Sequence, residues 1–150
     1  MSLATSQIGR AGELLVQYRL LLLGVDSAPM STDTGVDLVA YSPVSKQPST
    51  IQVKTNLRPK PGGGKGKPAL DWWIPAESPA GLIALVDLSE EQLWMFNSTE
   101  IATLAQQKSS DRYHLYMYTD PTAAPSKVDR LSHAYEFQTY LLENRAHLLS

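Results

Sequence analysis

The pattern of apolar and polar positions predicts a helix at the start of the chain, followed by extended segments. Apolar side chains are frequent over residues 8–23, Ser6 or Thr5 can cap the start of this helix, and Gly24 is placed to end it. After a polar turn, residues 35–41 form an apolar run that is typical of a strand. The helix is therefore expected to precede the first strand of a sheet.

A second strand-like run, residues 51–55, follows the first across a link that is rich in turn-forming residues. This link contains the sequences SP and QPS, so the two runs are predicted to form an antiparallel hairpin. The stretch that comes next, RPKPGGGKGKP, is dominated by glycine and proline. Because such sequences do not form regular elements, we predict a mobile basic loop over residues 58–70.

The second half of the chain predicts further strands and two more helices. GLIALVDL, QLWMFN and RYHLYMYT each predict a strand, the first being apolar enough for a central position, whereas LDWW predicts a short helical or turn segment. One helix is expected from an Asn97 or Ser98 cap to residue 107, and another over residues 131–149. No internal repeat or domain boundary is visible. We therefore predict one α/β (α+β) domain, residues 1–150, with a mixed sheet flanked by helices.

Composition limits the classes of protein that are possible. With 43% hydrophobic and 19% charged residues among 150, the chain has the balance of a globular protein with a real core. The absence of cysteine excludes disulfides, thiolate zinc sites and cysteine nucleophiles, and it is compatible with the cytoplasm, where we expect the protein. The apolar run LLVQYRLLLLG is interrupted by Gln17 and Arg19 and is too short for a membrane span, so no membrane partner is expected.

Basic residues are concentrated in one part of a chain whose net charge is −2. The window between Leu38 and Leu70 contains no Asp or Glu, and its basic residues are Lys46, Lys54, Arg58, Lys60, Lys65 and Lys67. A local basic block indicates a polyanionic partner, here nucleic acid, more strongly than the overall charge does. A solvated lysine loop without a partner is the alternative.

Three polar residues of the predicted hairpin suggest chemistry. Because side chains alternate across a strand, Gln52 and Lys54 face the same side, and hairpin pairing can bring Asp37 close to them. Carboxylate and carbonyl oxygens are hard ligands that suit Mg²⁺ or Mn²⁺, and a bound water can then become a nucleophile. A neighbouring lysine can orient that water and stabilise charge on a phosphate. The trio is therefore suited to hydrolysing a phosphodiester.

These motifs resemble the core of the PD-(D/E)XK nuclease superfamily, the restriction-endonuclease-like fold that archaeal Holliday-junction resolvases share. In GVDLVA and IQVKT, Asp37 is followed by fourteen residues and then by Gln52-Val53-Lys54, where the family has Asp or Glu, any residue, and Lys. Family members often carry a glutamate on the first helix, and IGRAGELLVQYRLLLLG supplies Glu13. The resemblance implies an α-β-β-β-α-β order. It covers residues 8–56 well and residues 80–110 only in outline.

The resemblance implies a divalent-metal-dependent endonuclease that hydrolyses phosphodiester bonds, with DNA as the favoured substrate. Asp37, Gln52 and the backbone carbonyl of Val53 would bind Mg²⁺ or Mn²⁺, Lys54 would position the water, and Glu13 would support the metal or a second ion. The basic residues Lys46, Arg58, Lys60, Lys65 and Lys67 would hold the nucleic acid. Many relatives act as dimers, so a homodimer is compatible with the resemblance. The glutamine in place of the second acid removes one negative charge from the metal site.

Structural readings of the same residues remain open beside the catalytic one. Asp37 could close a turn, Lys54 could protect a strand edge, and Gln52 could be a solvent-facing residue. Glu13 lies one helical turn from Arg10, so a surface salt bridge would also explain it. A catalytically inactive module that binds nucleic acid or a protein on the same fold is therefore the alternative function.

Aromatic residues and histidines complete the set of candidates. Trp72 and Trp73 could stack on nucleic-acid bases or pack in a core, and the two readings are equally supported. His114, His133 and His147 have no metal-like or triad-like companions in the sequence, so a structural role is expected for each.

Overall fold

The structure is a computed structural model that describes residues 2–32, 34–62, 66–125 and 128–149. In chain order, the elements within these residues are α1 (Thr5–Leu22), β1 (Asp26–Pro29), β2 (Leu38–Tyr41), β3 (Pro48–Asn56), β4 (Lys60–Pro61), β5 (Pro68–Pro75), β6 (Leu82–Asp87), β7 (Gln92–Asn97), α2 (Ser98–Leu104), β8 (Gln107–Lys108), β9 (Arg112–Tyr118) and the 3-10 helices Ala134–Tyr140, Leu142–Asn144 and Ala146–Leu149.

The first sheet has the strand order β1-β2-β3-β6-β7 and contains the predicted hairpin. β2 and β3 pair antiparallel with Leu38 opposite Ile51, whereas β3 and β6 run parallel. The predicted fold class, a mixed sheet flanked by helices, is therefore confirmed. β2 is shorter than the predicted strand over residues 35–41, because Gly35 has a φ of +87°, which does not continue a strand.

The strand β6 is buried on both faces, which explains its continuous apolar sequence. Its residues Leu82, Ala84 and Val86 belong to the core on the α1 side of the first sheet, while Ile83 and Leu85 belong to the core on the other side. A strand covered on both faces has no position for a polar side chain to reach water. The predicted strands QLWMFN and RYHLYMYT are also confirmed, as β7 and β9.

The second sheet has the strand order β4-β5-β9-β8 and covers the face of the first sheet opposite α1. The prediction of a helical or turn segment at LDWW was wrong, because these residues lie within β5. Leu70, Trp72 and Ile74 are buried in alternation with the exposed Asp71 and Trp73. This period of two is the signal of a half-buried strand, and the adjacent tryptophans hide it.

The helix α1 lies unusually close to β3, and Gly12 makes this possible. A Cβ atom at position 12 would lie 1.8 Å from the Oγ1 atom of Thr55, a distance that no side chain can occupy. The helix begins after Ala4 rather than after the predicted caps Ser6 or Thr5, and it ends before Gly24 as predicted. The close approach fixes the height at which the next residue, Glu13, stands above the sheet.

The C-terminal region differs from the predicted helix over residues 131–149, which was wrong. The three 3-10 helices there are separated at Leu141 and Arg145, whose backbone angles are not helical. Leu141 forms a β-bridge with Trp94, and the Arg145 guanidinium binds the Glu100 carboxylate through two bonds of 2.7 and 2.8 Å. These long-range contacts outweigh the local helical preference.

The segment predicted as a loop, residues 58–70, is in part extended. β4 and the start of β5 pair antiparallel, with Lys60 opposite Ala69, so the two ends of the segment form a short hairpin. Lys65 lies outside the described residues. The helix α2 begins at its predicted cap, where the Asn97 side chain accepts a bond from the Glu100 N–H and the Glu100 carboxylate accepts one from the Asn97 N–H.

Candidate active site

The carboxylate of Asp37 is fixed to the backbone of the neighbouring strand. Asp37 directly precedes β2, its N–H donates to the carbonyl of Ile51 (2.9 Å), and its Oδ2 accepts a 2.7 Å bond from the N–H of Val53. That bond spans sixteen residues, so the carboxylate does not merely close a local turn. The structure therefore brings Asp37 to the Gln52-Val53-Lys54 segment, which is the juxtaposition that the sequence predicts.

The reason for this contact is the unequal length of the two strands. β2 pairs with the first part of β3, up to Ile51, so among the described residues those from Gln52 onward have a strand partner on the β6 side alone. The backbone N–H of Val53 needs a substitute acceptor there, and Asp37 provides it. Among the described residues no hydrogen bond reaches the other oxygen, Oδ1, which leaves it accessible to a ligand.

Glu13 approaches the same place from α1. Burial raises the pKa of Glu13, the negative charge of Asp37 raises it further, and the Arg10 guanidinium opposes both through a 3.3 Å ion pair. The predicted salt bridge with Arg10 is thus present, and it coexists with the proximity to Asp37. Two carboxylates that repel each other at one place favour a proton or a cation between them.

An open cleft of about 320 Å³ contains both carboxylates. One wall is the first half of α1 and the other is the backbone before β2, and the lining residues are Ser6, Gly9, Arg10, Glu13, Met30, Ser31, Thr32, Val36 and Asp37. This wall passes close to Pro79 at Gly35, which has a positive φ. Only glycine allows this approach, because a Cβ at position 35 would lie 2.8 Å from the Pro79 ring. The cleft is wide enough for water and a polar ligand to reach the carboxylates.

Gln52 is buried rather than solvent-facing. Only 5% of the residue is exposed, and its Oε1 accepts a 2.9 Å hydrogen bond from the hydroxyl of Ser78. The alternative reading of Gln52 as a solvent-facing residue was therefore wrong. Ser78, in the turn before β6, holds the amide in place, and no sequence pattern pointed to this partner. A carbonyl oxygen has two lone pairs, so the Ser78 bond leaves one acceptor direction unused.

Lys54 lies on the same side of β3 as Gln52 and is partly buried. Within the part of the chain that the structure describes, its ammonium has no hydrogen bond or ion pair. β6 pairs along one side of this section of β3, and the other side has no strand, so a role in protecting a strand edge also fits. An ammonium group without a protein partner among the described residues is suited to bind an anionic ligand.

Not all the predicted basic residues are close together. Arg58, Lys60 and Lys67 are exposed near the C-terminal end of β3, whereas Lys46 is exposed in the turn at its opposite end. β3 has nine residues, so these two positions are separated by roughly 25 Å. Lys67 also forms a 3.7 Å ion pair with Asp120. The structure thus groups Arg58, Lys60 and Lys67 and leaves Lys46 apart.

The donor set fits a hard divalent cation of the magnesium type. Over the described residues, no three His, Cys, Asp or Glu side chains converge on one point. Mg²⁺ needs only one or two protein carboxylates, because it keeps several of its waters. Glu13 and Asp37 could supply these carboxylates, and Gln52 and the carbonyl of Val53 could add neutral oxygens.

Comparisons with known proteins identify the fold. A scan against protein-family models finds no match, and a search of curated proteins finds none either. A solved structure entitled "The structure of a bacterial homing endonuclease: I-Ssp6803I" superposes with a TM-score of 0.60 at 15% sequence identity, over 97% of this chain and 93% of that one. At this identity the similarity shows a shared fold and nothing further. None of the described helices is both long and apolar enough to cross a membrane.

Proposed function

We propose that this protein is a divalent-metal-dependent endonuclease of the PD-(D/E)XK type that hydrolyses phosphodiester bonds in DNA. The observation that carries the proposal is the bond from the Val53 N–H to Asp37, which joins the two halves of the motif beside a second carboxylate, Glu13. The fold shared with a bacterial homing endonuclease supports the same reaction class.

In this mechanism Glu13 and Asp37 would hold Mg²⁺ or Mn²⁺, with the oxygen of Gln52 and the carbonyl of Val53 as further ligands. The metal, when bound, supplies an activated water and neutralises charge on the phosphate. The carboxylates also exclude other anions from the cleft when the metal is absent, because their charges repel them. Metal binding should therefore precede productive DNA binding.

Lys54 would act on the phosphate itself. Its ammonium would orient the attacking water and stabilise the additional negative charge of the five-coordinate phosphorus. The oxygen of the water forms a bond to phosphorus, and the bond from phosphorus to the leaving sugar oxygen breaks. The attacking water gives one proton to solvent, and the leaving oxygen takes one proton from solvent to become a hydroxyl. Ser78 would act indirectly, since it only orients the Gln52 amide.

Cleavage of labelled linear, nicked and branched DNA with Mg²⁺ or Mn²⁺ tests the proposal. Wild type should cleave at least one substrate, and Asp37→Ala and Lys54→Ala should each lose about 10²-fold or more of the rate. Glu90→Gln is the matched control, because it removes an exposed carboxylate outside the site and should leave the rate unchanged. Cleavage that survives in both site variants would contradict the proposal.

One observation favours a second candidate function, a nucleic-acid-binding module that does not cleave. Gln52 occupies the position of the second acid and is held by Ser78, so the site carries fewer negative charges than the family pattern implies. Such a module would bind DNA in a salt-dependent manner without metal. Binding of that kind, combined with no cleavage under any metal condition, would favour this candidate over the nuclease.

A further inference from the structure

The outer face of the second sheet carries a row of aromatic rings. The inner residues of β5 and β9 pack into the core, and the alternate residues point away from it. The cross-strand pairs on the outer side are Trp73 with His114, Asp71 with Tyr116, and Ala69 with Tyr118. Trp73 is exposed, whereas His114, Tyr116 and Tyr118 are half-buried.

The rings contact one another in sequence along this face. Trp73 stacks on His114 with ring centroids 4.2 Å apart and planes at 8°, and the guanidinium of Arg112 lies 4.7 Å from the Trp73 ring centre. The row continues from His114 to Tyr116 at 5.8 Å and from Tyr116 to Tyr118 at 5.4 Å. Trp73 remains 42% exposed, so part of its ring is in contact with solvent.

A cavity of about 190 Å³ opens between these rings and the edge of the sheet. A 150 Å³ protein cavity can hold benzene, so this one has room for a single aromatic ring. Its walls combine rings with groups that form hydrogen bonds, namely Lys60, Asp71, Gln107, His114, Tyr116 and Tyr118. The composition fits a planar, polar heterocycle better than a purely apolar group.

The side chains of Asp71 and His114 line this cavity and form a hydrogen bond with each other. The Nε2 of His114 lies 2.9 Å from the Oδ2 of Asp71, and its Nδ1 lies 3.2 Å from the Oε1 of Gln107. The bond from His114 lowers the pKa of Asp71 despite partial burial, and the charges of His114 and Lys60 lower it further. Asp71 therefore remains an ionised acceptor at neutral pH, which could bind an exocyclic amino group.

One cationic residue lies at each end of the row of rings. Arg112 begins β9, and Lys60 lies on β4 beside the pair of Ala69 and Tyr118 at the far end. The seven residues of β9 span about 20 Å, which is the distance along which a strand of nucleic acid could follow the rings. A peptide ligand would not require a cation at each end, whereas a phosphate backbone would.

We propose that the outer face of β5 and β9 binds single-stranded nucleic acid, with one unpaired base in the cavity at Asp71 and the others stacked on Trp73, Tyr116 and Tyr118. Bases within a duplex present only their edges, so stacking selects the single strand. The inference takes from the proposed function only that nucleic acid is the ligand, and it does not require cleavage.

This face is joined to the candidate active site through Asn56. The Asn56 side chain donates to the carbonyl of Asp71 (2.7 Å) and accepts from its N–H (3.1 Å), and Asn56 lies on the same side of β3 as Lys54. An unpaired strand that leaves the cleavage site could therefore reach the aromatic face along the end of β3. The two surfaces would hold different parts of one substrate.

Binding of a 5′-labelled single-stranded oligonucleotide and of a duplex with the same sequence, both in EDTA, tests the inference. Wild type should bind the single strand more tightly, and Trp73→Ala should weaken that binding by about tenfold or more while leaving duplex binding unchanged. Trp73→Phe keeps a ring and should bind like wild type. Tyr18→Ala is the matched control, since it removes an exposed tyrosine from α1, on the other side of the molecule.

Fluorescence provides a second readout on the same samples. Trp72 and Trp94 are buried, so quenching by the oligonucleotide should come from Trp73 and disappear in Trp73→Phe. Single-strand binding that is equal in wild type and Trp73→Ala, or weakened equally by Tyr18→Ala, would overturn the inference. So would polyphosphate that displaces the oligonucleotide as well as an unlabelled single strand does. Absence of single-strand binding would also overturn it and would leave this face to a protein partner.

The outcome is separable from that of the nuclease proposal. Cleavage by wild type without any effect of Trp73→Ala on binding would support the nuclease and overturn the aromatic site. Single-strand binding that depends on Trp73, without cleavage under any metal condition, would do the reverse.

Discussion

The two sheets of this protein bury their inner faces against each other and use their remaining faces in opposite ways. The first sheet is covered by α1, and the junction leaves a cleft with two carboxylates, Glu13 and Asp37. The outer face of the second sheet carries aromatic rings, among them the exposed Trp73, with cations at the ends. The cleft concentrates negative charge, which a bound metal ion would neutralise. The outer face of the second sheet offers flat ring surface, on which a base would stack.

Because the two surfaces depend on different contacts, a variant that impairs ligand binding at one of them should not impair it at the other. Repulsion between carboxylates depends on the distance between α1 and β3, whereas stacking depends on the register of β5 and β9. A change at either surface should leave the ligand of the other one bound. The predictions below test this separation, beginning with the largest effect.

The largest effect is expected from a pair of variants measured in two assays. Asp37→Asn should reduce metal-dependent cleavage by about 10²-fold or more and leave single-strand binding in EDTA unchanged. Trp73→Ala should weaken single-strand binding and leave cleavage of duplex DNA unchanged. Rates of cleavage and dissociation constants for both variants check this. If each variant impaired both properties equally, the two surfaces would be a single site.

Gly12→Ala should disturb the packing of α1 on β3 and so impair the cleft without impairing the aromatic face. The new Cβ would overlap Thr55, so we expect a loss of about 1–3 kcal/mol in the free energy of unfolding and reduced cleavage, with single-strand binding preserved. Gly9→Ala is the matched control on the same helix, since a Cβ there meets no atom within 4 Å. Urea unfolding measures both. Equal stability of the two variants would show that α1 does not depend on the close contact.

The affinity of the aromatic face for a single strand should depend less on salt concentration than the affinity of an ordinary basic groove does. If Lys60 and Arg112 are its phosphate contacts, log K for the single strand should fall with log salt at a slope of about −1.4. Lys60→Ala should reduce the magnitude of that slope by about 0.7. Titrations at several salt concentrations check this. An unchanged slope in Lys60→Ala would show that Lys60 does not contact a phosphate of the bound strand.

The smallest effect concerns the stability contributed by Glu13. Its folded pKa is raised, so its favourable contribution exists below the unfolded pKa and is lost as the pH rises through the folded pKa. At pH 7 the ionised side chain therefore destabilises the fold. Glu13→Gln should raise Tm in EDTA by no more than about 2–4 °C, because solvent screens a partly exposed group.

Thermal unfolding at pH 7 and at pH 4 measures the Glu13 effect. The advantage of Glu13→Gln should shrink at the lower pH, where the wild-type carboxyl becomes protonated. A lower Tm for Glu13→Gln at pH 7 would mean that the Arg10 ion pair outweighs the repulsion from Asp37.

Local patterns predicted four of the five strands of the first sheet, and β1 is the strand that was not predicted. The alternation of IQVKT and the apolar run GLIALVDL identify β3 and β6, and the asparagine before a helix with Glu100 in its first turn identifies the start of α2. The position of Asp37 beside Val53 also follows from hairpin pairing. Each of these features depends on residues that are close in sequence or on a single strand pair.

The second sheet and the C-terminal region could not be predicted in the same way. β5 pairs with β9 across more than 35 residues, and the chain at Leu141 is extended because Trp94 pairs with it. The proximity of Glu13 to Asp37 depends on how closely Gly12 lets α1 approach the sheet. The bond from Ser78 to Gln52 joins the turn before β6 to strand β3. Long-range packing decides these contacts, and no local pattern records it.

Binding of Mn²⁺ is the decisive measurement for the two carboxylates, because the sharp EPR spectrum of the free ion broadens when the ion is bound. Titration should be done in the presence of duplex DNA, comparing wild type with Asp37→Asn and with the control Glu90→Gln. We predict that wild type and Glu90→Gln bind one ion and that Asp37→Asn does not. Equal binding by Asp37→Asn and wild type would contradict the assignment of the two carboxylates as a metal centre.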